Sequence, residues 1–399
     1  MLIINCNNYS DSYQWYKGNL HTHTFWSDGD APPEITVDWY KSNGYDFLAL
    51  SDHNILSTVE KWIKVHDNDP GGWPPTMTKS KLKDIENKFG LEWINTRIMN
   101  DTLEMQLTTL DKLKMKFEID NDFLLIQSEE ISDIYEKTPI HINATNISEF
   151  IPPQGGNSVF DVLQRNINAV REQRKTTGQA MIAHINHPNY EWALLSDHLI
   201  NIQGDSFFEV YNGHPLVNNW GNNDKPSTDK MWDIVLTKRI LKNVPPMYGL
   251  AVDDAHAYYK YKIGKANPGR GWVMVKAQQL NPDQIISSLE SGNFYSSTGV
   301  LLNNINQDNK SYVVDISEKP GITYTTQFIG STHSINQKDD IDNNEIGKIF
   351  YETKTNPAIY NFTGKEIYVR AKIISDKLQE NPYSKGDLEM AWTQPFVIK

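Results

Sequence analysis

Gly18-Asn19-Leu20-His21-Thr22-His23 is the stretch on which the fold of this chain turns. Side chains of an extended strand alternate between its two faces, so His21 and His23 fall on the same side. Two imidazoles so placed can grip one divalent ion at about 2.0–2.1 Å. The pattern of a short apolar run ending in metal-type residues recurs. Seven such runs are read, at 18–23, 47–53, 123–131, 140–145, 181–188, 206–213 and 247–256. Continuous apolar character before the polar end fits strands buried on both faces, as in a parallel sheet. Helix-like spacing lies between several of them, at 33–42, 158–175 and 228–239.

Strand, helix, strand, with functional residues at successive strand ends, is the grammar of an α/β barrel. Seven strands rather than eight predict a distorted or incomplete one. The stretch 56–121 breaks the alternation and reads as an insertion on the active-site face, with a turn-rich loop over 69–75 and a helix over 101–116. After about Val300 the grammar changes to short alternating segments separated by turns such as Lys338-Asp339-Asp340. This predicts two domains, a metal-type barrel over 1–300 and a small antiparallel β-sandwich over 301–399.

Composition narrows the chemistry. The chain has 399 residues, 39% hydrophobic and 22% charged, enough for a sizeable core. Its formal charge of -12 argues against a broad basic face for duplex nucleic acid. No apolar run approaches the roughly 20 residues that span a bilayer. The single cysteine, Cys6, excludes an intramolecular disulfide and a cysteine-rich metal site. The opening run 1–6 is too short for a signal-peptide core, so the chain as given is expected in the cytoplasm, or exported if its start is clipped.

The candidate ligand set is His21, His23, Asp28, His53, Glu130, His141, His187, Asp254 and His256. Nine hard or borderline donors without a thiolate suit two or three Zn, Mn or Fe ions in a hydrolytic rather than structural site. Asp52 is a candidate to orient His53 or accept a proton. His184 and Asp253 are candidate leaving-group acids, although His184 reads equally well as a core histidine. Glu129 and Asp253 also read as carboxylates that orient an imidazole. Arg270 is a candidate phosphate ligand, with an internal salt bridge as the equal alternative. His66, His198, His214 and His333 have no strand-end company and are left out of the site.

Lys17-Gly18-Asn19-Leu20-His21-Thr22-His23-Thr24 with Ser27-Asp28-Gly29 resembles the first motif of the PHP (polymerase and histidinol phosphatase) superfamily. Leu50-Ser51-Asp52-His53-Asn54 is similar to the second, and Glu130, His141, Asn186-His187-Pro188 and Asp254-Ala255-His256 resemble the rest in order. Glu209-Val210-Tyr211-Asn212-Gly213, Arg270-Gly271-Trp272-Val273 and the run 294–299 resemble the carbaryl-hydrolase-type branch. The resemblance spans roughly 15–300. It implies a distorted (β/α)7 barrel and phosphoester hydrolysis by a metal-bridging hydroxide on a small-molecule substrate. It also implies that His21, His23, Glu130 and Asp254 hold one ion and Asp28, His53 and His256 a second. Glu130 would then bridge to a third on His141 and His187. Asp28 stands where some members have histidine. Carbamate or ester hydrolysis at the same centre is the alternative chemistry. A carbohydrate-binding protein without turnover, using C-terminal aromatics such as Trp392, is the alternative class.

Overall fold

The computed structural model describes residues 12–204, 206–335 and 345–398. Cys6, the run 1–6 and the Lys338-Asp339-Asp340 turn lie outside them. The architecture is mixed α/β, built on a 14-stranded sheet. Its first seven strands follow chain order: β1 (Gln14–Asn19), β2 (Phe47–Leu50), β3 (Leu124–Tyr135), β4 (Thr138–Thr145), β5 (Ile182–Ile185), β6 (Phe207–Asn212) and β7 (Tyr248–Val252). Each falls within or across one of the seven runs read from the sequence. Every residue of β2, β5 and β6 is buried, as strands covered on both faces must be. The β1–β2 approach depends on Gly18, where a Cβ would lie 2.1 Å from the Phe47 ring.

The alternation predicted from sequence fails at one place. β3 and β4 form a hairpin, and β4 runs antiparallel to both β3 and β5, whereas β1–β2, β2–β3, β5–β6 and β6–β7 are parallel. The two-residue connection places Glu136 at φ 54. The reversal means that His141 reaches the site from the first half of its strand rather than its end.

Helix Pro33–Ser42 packs on β2, and helix Val159–Thr177 packs on β3, β4 and β5. The second starts where the Ser158 side chain accepts from the Asp161 N–H, and stops at Gly178, whose φ of 73 suits a glycine C-cap. It buries Val162, Leu163, Ile167 and Val170.

The insertion departs from its sequence reading. Only Leu110–Phe117 of the expected 101–116 helix is helical, and Thr102–Gln106 is a strand paired with Thr96–Met99. Asn100 and Asp101, with φ of 48 and 57, make the left-handed two-residue turn that favours a hairpin over a helix start.

Beyond β7, β8 (Trp272–Ala277) pairs with β1 and β9 (Phe294–Ser297) with β8, both antiparallel. The C-terminal strands β10 (Leu302–Gln307), β11 (Ser311–Ile316), β12 (Tyr324–Thr332), β13 (Lys348–Thr353), β14 (Ala358–Asn361), β15 (Glu366–Leu378) and β16 (Leu388–Thr393) pair antiparallel. β10, β11 and β14 form a separate sheet, while β16 joins β9 and so continues the large one. One apolar cluster, including Tyr312, Val314, Phe328, Val369 and Ile373, lies between the two sheets.

Helix Thr228–Leu241 lies between β6 and β15 and is buried on nearly every side. There the fully buried Arg370 of β15 donates to both carboxylate oxygens of Asp233 at 2.8 and 2.7 Å and pairs with Asp229 at 2.8 Å. Removing one partner of such a group strands the other charge. Arg370→Ala should therefore cost about 3–5 kcal/mol, read as a fall in the urea midpoint. A loss under about 1 kcal/mol would mean that the pairing adds nothing to the junction.

Candidate metal centre

β7 and β1 meet beyond their ends in one parallel bridge, Thr22 with Ala255. Two backbone bonds make it, His23 N–H to Ala255 O and Asp254 N–H to His21 O, each 3.1 Å. The residues flanking the bridge on both segments, His21, His23, Asp254 and His256, converge on one cluster, as period-two alternation requires. His21 Nε2 lies 3.1 Å from His23 Nε2. Glu130 Oε2 is 3.3 Å from each of these nitrogens. Asp254 Oδ1 is 3.4 Å from the first and 3.2 Å from the second. Donors on one face of a tetrahedral site with bonds of about 2.0–2.1 Å stand about 3.3–3.4 Å apart, close to this triangle.

Glu130 provides the test of fit. Its Oε2 is fully buried and accepts no hydrogen bond of acceptable geometry, although His53 Nδ1 is 2.9 Å away. A lone buried carboxylate oxygen among imidazoles costs stability unless a cation completes it. Burial would raise the Glu130 carboxyl, but His53, His21 and His141 together hold it well below the usual carboxylate range. His23 is pushed down to about 3, first by burial and then by His256 and His53, and so offers a neutral nitrogen. The donor set suits divalent cations.

Two further groups adjoin the first. Asp28 Oδ2 faces His53 Nε2 at 3.4 Å, and Asp28 Oδ1 faces His256 Nε2 at 3.4 Å. On the other side, Glu130 Oε1 lies 2.9 Å from His141 Nδ1 and 3.5 Å from His187 Nε2. The same oxygen accepts from Asn186 Nδ2 at 2.7 Å. All nine candidate ligands thus lie in one connected cluster at one end of the ring of strands.

The four candidate catalytic residues are placed differently. Asp52 does not orient the His53 ring. Its carboxylate accepts from the Thr24 N–H and hydroxyl and the Ser27 N–H and hydroxyl, at 2.6–3.0 Å, and so pins the loop that carries Asp28. Asp253 faces away from the cluster, accepting from Tyr40 and the N–H groups of Gly269, Arg270 and Gly271. Arg270 is fully buried, and its guanidinium donates to Gly213 O, Lys262 O and Asn381 O, so it anchors loops rather than presenting a fork to substrate. Glu129 accepts from the Ile151 N–H and orients no imidazole. His184 is buried beside His21, with Nε2 3.2 Å from Glu209 Oε1.

Glu209 is the residue that the candidate list lacks. Its Oε1 meets His21 Nδ1 at 2.6 Å, and its Oε2 accepts from the His187 N–H and Asn212 Nδ2 at 2.7 and 2.8 Å. It therefore sets the His21 tautomer so that Nε2 offers a lone pair to the centre. His214, set aside on sequence, lines the cavity over the cluster with Trp73, Tyr190 and Leu216. The run read as 206–213 stops one residue short of it.

A two-domain protein of Bacteroides vulgatus containing a predicted PHP-like metal-dependent phosphoesterase is similar at 14% identity, over 97% of this chain and 95% of that one, with a TM-score of 0.43. A candidate metal-dependent phosphoesterase of Bifidobacterium adolescentis is similar at 13% identity, over 63% of this chain and 89% of that one, with a TM-score of 0.28. No family model and no curated protein matches the chain.

Glu209→Ala should lower affinity for the ion on His21 by about 10–100-fold, measured by chelator competition. Unchanged affinity would show that His21 is oriented without it.

Proposed function

We propose that this chain is a metal-dependent hydrolase acting on small-molecule esters, with phosphoesters as the leading class. The observation that carries the reading is the buried, uncompleted Glu130 Oε2 at the meeting point of three imidazole groups. His21, His23, Glu130 and Asp254 would hold one ion, Asp28, His53 and His256 a second, and His141 and His187 with Glu130 a third. When bound, such ions acidify water and neutralise charge on an ester's oxygens. The chain's own residues keep the donors fixed: Glu209 and Asn212 orient His21 and Asp254, and Asp52 holds the Asp28 loop. We read the ring of seven strands as a distorted (β/α)7 barrel over 1–300, and 301–399 as a sandwich-type support.

Carbamate or carboxylic ester hydrolysis is the second reading. It is favoured by one feature, that no Lys or Arg lines the cavity among the described residues. The sugar-stacking alternative loses its main residue, because Trp392 is 1% exposed. Among the described residues no helix is long and apolar enough to cross a membrane.

Elemental analysis of purified, reconstituted protein should find about two to three equivalents of divalent metal. Glu130→Ala should lower that content and abolish turnover. Less than about half an equivalent in the parent protein would overturn the proposal. Initial rates on matched aryl phosphates and aryl carbamates decide between the two chemistries.

A further inference from the structure

Trp73 lies at the tip of the insertion and is 67% exposed, yet its ring centroid is 6.0 Å from that of His256. It follows Gly71 and Gly72, at φ of 73 and 101 and with open space around both, in a turn where the Gly71 N–H donates to Asp69 at 2.9 Å. The insertion's apolar residues Val65, Met77, Ile85, Phe89, Trp93 and Met105 belong to a core shared with Tyr40, Leu50 and Leu125, and this ring is not part of it. Trp73 is therefore not held out by packing demands of the fold. Across the opening stand Leu216, 60% exposed, and Tyr190, whose ring is 5.1 Å from His187 and 6.2 Å from His214.

These groups form the mouth of a cavity of 380 Å³ whose floor is the ligand cluster. The floor and mouth differ in chemistry. All carboxylates of the lining lie in the floor, and the mouth residues Trp73, Tyr190 and Leu216 are aromatic or apolar. With no Lys or Arg in the lining among the described residues, nothing there compensates a second charged group on a substrate. A large exposed aromatic beside a polar site presents a flat face on which a planar group can stack.

We infer that Trp73 is a specificity-determining residue, stacking on a planar, uncharged group one ester linkage away from the metal-bound end of the substrate. The substrate class is then esters of aryl-type alcohols, and esters with a charged sugar or polyphosphate tail are excluded. This rests on the hydrolase reading above.

The test uses binding of two non-hydrolysable probes, phenylphosphonate and methylphosphonate, to the metal-loaded protein by calorimetry. The parent protein should prefer the phenyl compound by at least about fivefold, the scale of one aromatic contact. That preference should vanish in Trp73→Ala and persist in Trp73→Phe, with metal content unchanged in both. Equal affinity for the two probes, or a preference that survives Trp73→Ala, overturns the role of Trp73 and leaves the phosphoester reading standing. Failure of both probes to bind overturns the phosphoester reading itself.

Discussion

The Thr22–Ala255 bridge is the constraint on which the site depends. It joins segments far apart in the chain by two backbone hydrogen bonds, and it closes the ring where β1 and β7 have already ended. Because strand side chains alternate, fixing Thr22 opposite Ala255 also decides that His21, His23, Asp254 and His256 face the same interior point. A slip of one residue in either segment would turn its own pair of donors to the opposite face and split the set. The ladder and the ligand geometry are a single specification.

Around that point the molecule accepts local cost. Six imidazoles and three carboxylates share one small volume, with Glu130 Oε2 lacking a hydrogen bond and Asp254 at φ 49. Such crowding is retained only where surrounding structure over-determines it. Asp52, Glu209 and Asn212 supply that surrounding, each satisfied by several bonds while holding a donor in place. Asp52 and Glu209 therefore matter through other groups, Asp52 by fixing a loop and Glu209 by fixing a ring tautomer.

Much of this was legible in the sequence because it is written in short-range periodicity. The pairs His21/His23 and Asp254/His256 need only the two-residue repeat to be placed on one face, and the apolar runs before them mark the strands. What escaped was information that depends on direction or on distant partners. β4 is reversed through Glu136-Lys137, a turn without the glycine or asparagine that signals a hairpin. Asn100-Asp101 carried that signal inside a run whose composition also suits a helix. Asp253 neighbours the site in sequence, but its carboxylate and the Arg270 guanidinium are taken up by loop backbone. Glu209 stood in a recognised run, yet only its contact with His21 gives it a role.

The continuity of the large sheet has a consequence for handling this protein. β9 is bonded to β8 on one side and to β16 on the other, so the C-terminal strands cover what would otherwise be a bare hydrogen-bonding edge. Its sequence, Phe294-Tyr295-Ser296-Ser297, is fully buried and uncharged. Severing the chain near Val300 would not free a well-behaved N-terminal fragment. It would uncover a sticky strand ready to recruit a neighbouring molecule, and self-association would follow.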